Sequence, residues 1–189
     1  MFTNMRLETE RLVIRPYTAG DFDGFYHIVS QEEVGRYMPP MNIEYEKLKE
    51  RLNRQIETYK ENTPEKIIRY SVGVEEKQTG TLVGWVGLGP LDIKPEEIEI
   101  YYGFGREFWG KGYATEASSI FLRYAFETLG LERIVAIVLP ENKASIRVIE
   151  KIGLPFVEIV SGLVPELSFF EGVHYFALDR KNYRSDRTA

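Results

Sequence analysis

Two glycines one residue apart, Gly110 and Gly112, stand between a strand-like segment ending at Phe104 and a helix-like segment beginning at Ala114. That placement has a chemical use. Glycine lets the backbone approach an anion closely, and the first-turn amides of a helix, with its dipole, hold phosphate. Lys111 between them adds a point charge. The plainer alternative is that the glycines only permit a tight turn; the strand before and the helix after favour anion binding.

Three phosphate-binding patterns compete for these residues. Gly105-Arg106-Glu107-Phe108-Trp109-Gly110-Lys111 matches the G-x-x-x-x-G-K of a P-loop, but Gly112 follows where a hydroxyl must reach magnesium, and Phe108 and Trp109 are bulky for a phosphate wrap. A nucleotide-triphosphate-binding regulator would require magnesium-dependent binding at that loop. Gly110 to Thr115 misses the third position of the dinucleotide fingerprint, where Thr115 replaces Gly or Ala, and the unit follows antiparallel strands in mid-chain.

The third pattern extends further along the chain. Residues 106–117, REFWGKGYATEA, and 141–154, ENKASIRVIEKIGL, resemble the pyrophosphate-binding and following motifs of the GNAT acetyltransferase superfamily. Within it, WGKGYATEA and the opening LETERLVIRP are similar to the branch containing the RimJ- and RimL-type ribosomal-protein N-terminal acetyltransferases. The resemblance implies an acetyl-CoA-dependent N-acetyltransferase acting on a primary amine, either a protein N-terminal α-amine or a small-molecule amine. It implies a V-shaped opening between the strand ending near Phe104 and the strand ending near Leu139, with the pantetheine of acetyl-CoA inside. The pyrophosphate would rest on amides from Gly110 through Lys111, Gly112, Tyr113 and Ala114 to Thr115, with an amide near Phe104 as oxyanion donor. Two positions depart from the family pattern: Glu107 stands where Gln or Arg is common, and Ile149 where many members carry a tyrosine. Those departures keep a second reading open, a CoA-binding module with weak or lost catalysis.

Acetyl transfer from a thioester needs a deprotonated amine, a stabilised oxyanion and a departing thiolate. Glu99 is the candidate base, because strand alternation sets it opposite Ile98 and Ile100 and it matches the position of the family glutamate; the alternative is a solvated acidic face shared with Glu96 and Glu97. With Ile149 in the tyrosine's place, Ser145, four residues earlier on the same helical face, becomes the candidate proton donor to sulfur. Its alternative is to cap or orient the helix. Asn142 reads as a helix cap that can also touch the pantetheine amides. Toward the acceptor, Arg36, Tyr37, Met38 and His174 lie in segments that such folds turn to the substrate cleft, with packing or solvation as the alternative.

The elements that must position these residues follow from periodicity. ERLVIRPY reads as a short strand closed by Pro16, and Thr18 to Asp21 opens a helix with Phe22, Phe25, Tyr26 and Val29 on one face. A Pro39-Pro40 loop precedes a second amphipathic helix marked by Tyr45, Leu48, Leu52, Ile56 and Tyr59. Ile68 to Val74 and Leu82 to Leu88 form a hairpin about Thr79-Gly80, and Glu97 to Phe104 is the next strand. A helix from Ala114 to Leu129, a strand from Arg133 to Leu139, a helix capped by Asn142 and stopped at Gly153, and strands Phe156–Val160 and Val173–Leu178 complete the chain. The fold class is α/β (α+β): a GNAT fold with a mixed, mostly antiparallel twisted sheet of about six or seven strands flanked by about four helices, splayed between the fourth and fifth strands. Residues 1–180 are expected to form one domain and 181–189 a polar tail.

Composition fits this class. The 189 residues are 43% hydrophobic and 13% aromatic, enough for a core without staples. With no cysteine and two distant histidines, a disulfide framework, a thiolate nucleophile and a metal site are not expected. A net charge of -5 argues against general nucleic-acid binding and leans toward an amine-bearing partner. The N-terminal residues lack the apolar run of a signal peptide, and no membrane span is apparent, so a cytoplasmic protein is expected. A homodimer is open to it.

Overall fold

The computed structural model of the protein describes residues 2–40 and 43–184. All its named strands join one sheet. In chain order they are β1 (Leu7–Glu8), β2 (Leu12–Arg15), β3 (Tyr70–Glu76), β4 (Leu82–Leu91), β5 (Lys94–Phe104), β6 (Arg133–Val138), β7 (Phe156–Ile159) and β8 (His174–Asp179). Their order across the sheet is β1-β2-β3-β4-β5-β6-β8-β7. Every pairing is antiparallel except β5 with β6. The additional strand is β1, whose two residues pair through Leu7 and Ile14 and are too few to show a period of two in sequence.

Helices cover both faces. Chain order gives α1 (Phe22–Val29), α2 (Glu32–Gly35), α3 (Tyr45–Thr58), α4 (Tyr113–Arg123) and α5 (Lys143–Lys151). The short α2 falls where the sequence suggests only loop. On one face, Phe25 of α1 packs edge-on against Trp85 of β4, with ring centroids 5.8 Å apart. On the other, Phe121 of α4 stacks on Tyr70 of β3 at 6.0 Å. Burial from both sides removes the alternation from β4, where Leu82 to Gly89 are all buried. Among the described residues no helix is long and apolar enough to cross a membrane.

Arginine and tyrosine side chains tie the helical face to the sheet. Arg15 of β2 meets both oxygens of Asp21 at 2.8 Å and Glu75 of β3 at 2.9 Å, so one guanidinium fixes the start of α1 on two strands. Tyr59, just past α3, donates to the Ser71 carbonyl at 2.6 Å and accepts from the Tyr17 amide at 3.1 Å. At the C-terminal end, Tyr183 packs on Phe126 with centroids 4.9 Å apart, so the part of the expected polar tail that reaches Tyr183 contributes to the core. Residues 185–189 of that tail lie outside the described residues.

β5 and β6 share a single registered pair, Glu99 with Val135. Beyond it the two strands run on without pairing, to Phe104 and Val138. The wedge between them is the splay expected between the fourth and fifth strands, displaced by one in numbering because of β1.

Candidate active site

The glycine-rich turn is built from backbone. Gly110 and Gly112 both adopt positive φ, +75° and +82°, and α4 begins directly after Gly112. These are conformations that a residue with a Cβ adopts only under strain. No side chain caps α4, and its first intrahelical bond runs from the Glu116 amide to the Gly112 carbonyl at 3.0 Å. The amides of Tyr113, Ala114 and Thr115 are therefore left for an external acceptor at the positive end of the helix dipole. That donor set fits a pyrophosphate.

A clamp distant in sequence holds the turn. Glu116 accepts from the Thr9 hydroxyl at 2.5 Å, from the Arg11 amide at 3.1 Å and from the Arg11 guanidinium at 2.8 Å. Arg11 also donates to the Lys111 carbonyl at 2.9 Å and lies 4.7 Å over the Tyr113 ring. Tyr113 in turn donates to Glu76. Two stretches far apart in the sequence, LETERL and GYATEA, are thus joined in one contact.

The wedge supplies a second set of backbone donors. The Gly105 amide bonds the Val83 carbonyl at 3.1 Å, in the same register that sets Gly84 opposite Phe104. Antiparallel ladders alternate, so the Phe104 and Tyr102 amides point away from β4 and toward the open side, where β6 has diverged. The Phe104 carbonyl is taken by the Trp109 indole at 2.8 Å.

Aromatic rings crossing glycines shape the acceptor side. Gly103 faces Trp85 and Gly87 faces Tyr101 across β4 and β5. A Cβ on Gly103 would stand 2.1 Å from the Trp85 ring, and one on Gly87 would stand 2.4 Å from the Tyr101 ring. Both rings lie over bare backbone, and any side chain at either glycine would displace one of them. These two glycines act by leaving space.

One cavity of about 780 Å³ runs along both sides. Its wall includes Glu99, Phe104, Gly110, Gly112, Tyr113, Ala114, Thr115, Asn142 and Ser145, together with Tyr37 and Met38. Burial pushes the Glu99 carboxyl up to about 8; Asp92 adds to the rise, while the Ile137 amide and the Arg69 cation oppose it. Asn142 caps α5 through a bond from the Ser145 amide at 3.1 Å. The Ser145 hydroxyl lies 2.6 Å from that of Tyr102. Burial holds the Tyr102 phenol well above its ordinary range, so it stays protonated as a donor.

Three expected site residues fall elsewhere. Arg36 is exposed and borders a groove of about 380 Å³ that adjoins the cavity at Met38, Pro39 and Pro40, without lining the cavity itself. His174 packs edge-on against Phe156 at 5.4 Å within the β7–β8 pair and is absent from the cavity wall. Lys111 is exposed, with its ammonium 5.1 Å over the Phe108 ring and its carbonyl, rather than its charge, engaged by Arg11. Glu107, the departure from the family pattern, turns to the helical face, accepting from Gln31 and meeting His27, both at 3.0 Å. Partial burial raises its carboxyl, but its own amide, Gln31 and His27 outweigh that and leave it lowered.

Tyr102, Arg11, Arg51, Arg69 and Tyr17 are not among the site residues that the sequence singles out, and the structure brings them to the cavity wall or to the clamp behind the turn. Alternation places Tyr101 on the face of Glu99, but nothing local marks contacts such as Arg11 with Glu116, which are 105 residues apart.

Comparison with known proteins points one way. The acetyltransferase (GNAT) domain profile matches residues 11–155. The uncharacterized N-acetyltransferase YoaA of Bacillus subtilis (strain 168) is 36% identical over 148 residues, covering 78% of this chain and 81% of that protein. Among solved structures, a GNAT-family acetyltransferase from Bacillus anthracis superposes with a TM-score of 0.79 at 26% identity, covering 94% of this chain and 99% of that one. The ribosomal-protein-S5-alanine acetyltransferase of Vibrio fischeri shares the fold, with a TM-score of 0.78 at 18% identity, covering 96% of this chain and 100% of that one.

Proposed function

The chain belongs to the acetyltransferase (GNAT) domain family, and from that premise we propose that it moves an acetyl group from acetyl-CoA to a primary amine by direct attack of the amine on the thioester. The acceptor is a protein N-terminal α-amine or a small-molecule amine. The observation that carries this reading is a single cavity joining the uncapped start of α4, the β5–β6 wedge and a raised carboxyl at the last paired residue of that wedge.

Acetyl-CoA supplies the activated acyl group: a nitrogen–carbon bond replaces the sulfur–carbon bond, and one proton must leave nitrogen while one reaches sulfur. The amides of Tyr113, Ala114 and Thr115 hold the pyrophosphate. The Phe104 amide, facing the wedge, holds the carbonyl oxygen as charge gathers there. Glu99 takes the proton from nitrogen, and a carboxyl titrating near 8 is matched to that task at neutral pH. The Ser145 hydroxyl returns a proton to sulfur and is replenished from Tyr102, which regains a proton through solvent in the cleft as Glu99 releases the one it took, so both groups return to their starting states. The hydroxyl that the family's tyrosine would bring to position 149 thus comes from Ser145 of the same helix, backed by Tyr102 of β5.

Calorimetric titration with acetyl-CoA, paired with thiol release over a panel of primary amines, tests the proposal. Micromolar binding with amine-dependent thiol release is expected. Binding without turnover on any amine would favour the CoA-binding module, and absence of binding would sink both.

A further inference from the structure

The acceptor end of the cavity holds more positive charge than an amine needs. Arg51 and Gln55, four residues apart on α3, project from one helical stripe into the cavity wall, and Arg69 lies across from them just before β3. Among the described residues no carboxylate pairs with Arg51. Partial burial, then the like charge of Arg69, disfavours its cation. Arg69 reaches only Asp92, at 3.8 Å, and lies 5.4 Å over the Tyr101 ring; Gln55 fixes its backbone by donating to the Arg69 carbonyl at 2.8 Å.

Tyr17, 3% exposed, and Tyr101 border the same end of the cavity, with their hydroxyls shut off from solvent beside Ser71. Two guanidinium forks on one cavity wall match an oxyanion, a carboxylate or a phosphate. An ammonium group would meet only repulsion from the arginines; Asp92 and Glu99 are the groups suited to it.

We propose that the acceptor is an anionic amine, whose carboxylate or phosphate docks between Arg51 and Arg69 while its amino group is presented to Glu99. This rests on the acetyltransfer reading and narrows it. The overall charge of -5 gives no hint of such a site, because the two arginines are local to the cleft.

The test uses matched acceptors that differ only in the acid: β-alanine against β-alaninamide, glycylglycine against glycylglycinamide, and O-phosphoethanolamine against ethanolamine, followed by thiol release. The acidic member should have the higher kcat/KM by about tenfold or more, the scale of a lost charge-assisted contact. The carboxylate and phosphate pairs report which anion fits. Arg51→Gln and Arg69→Gln should bring the ratio toward one, and Arg51→Lys should retain part of it. Titration of the protein without acetyl-CoA by succinate and by inorganic phosphate provides a second readout: saturable binding weakened by salt and by Arg51→Gln is expected. Equal or better turnover of every neutral member, a preference unchanged in both glutamine variants, or no saturation by either anion overturns the proposal. If acetyl-CoA binds but no amine is acetylated, the catalytic reading fails while the two titrations still decide the arginine pair.

Discussion

The two ends of the cavity recognise their ligands by different means. The donor end works through backbone: uncapped α4 amides, two positive-φ glycines and strand amides released by the wedge. The acceptor end works through side chains brought from the segment after β2, from α3, from the start of β3 and from β4 and β5. A backbone cradle needs a contiguous run of residues with a special conformation, so it leaves a contiguous signature. A side-chain pocket needs only that its members meet in space, and many sequences could assemble one.

If that division is right, substitutions at the two ends should fail in different measurements. Glu99→Gln should have the largest effect, lowering kcat by about 10²- to 10⁴-fold, the usual worth of a general base, with acetyl-CoA affinity unchanged. With an acceptor whose own amine titrates well below neutrality, wild-type kcat/KM should rise through pH about 8 and the variant's profile should be flat. A variant that keeps the rise would move the base elsewhere. The same carboxyl has a consequence for stability. Its folded pKa of about 8 lies above the ordinary 4.5, so the folded protein keeps a proton the unfolded chain has lost. Stability should therefore fall as pH climbs between those values. Chemical denaturation from pH 4.5 to pH 8 should show Glu99→Gln escaping that fall.

Gly112→Val should come next, weakening acetyl-CoA binding by on the order of 100-fold, since a β-branched residue resists the positive φ and its side chain enters the space of the anion and of Arg11. Calorimetry showing wild-type affinity would remove the pyrophosphate from this turn. Ser145→Ala should lower kcat by about tenfold, because a thiol leaves with little help. Tyr102→Phe should match it, and the double variant should be no worse than either if they act as one relay. Independent, multiplying losses would separate them.

The smallest effect should come from the clamp. Arg11→Ala and Glu116→Ala should each cost about 1 kcal/mol in urea denaturation, a modest figure because the arginine is 44% exposed. Each should weaken acetyl-CoA binding several-fold through a looser turn. Their coupling in a double-mutant cycle is the diagnostic measurement, and additive losses would mean the contact does not organise the donor end.

Much of this molecule is legible in its residues, for identifiable reasons. Helix α5 is marked at both ends, by Asn142 and by Gly153 with φ of +95°, because caps are local chemistry. Periods of two and of 3.6 set the faces of Glu99 and Ser145, and both residues line the cavity. Arg36 and His174 misled because proximity to a loop or strand end does not fix where a side chain points once α2 and the β7–β8 pair are packed. Strand alternation puts Tyr102 on the face of the buried Ile100. It is indeed on that face, but α5 crosses there and turns a core position into a wall of the cavity.

The sequence by itself determined the class of fold, the family and the place of the glycine-rich turn, because glycines at positive φ, helix caps and strand periods are properties of neighbouring residues. The tertiary structure decided the rest: that Thr9 and Arg11 hold the turn through Glu116, that glycines at 87 and 103 exist to admit Tyr101 and Trp85, and that Arg51 and Arg69 share a cleft with Glu99. Each of those depends on where α3, α4 or neighbouring strands meet, and such meetings are set by packing across the whole core rather than by any segment that takes part in them.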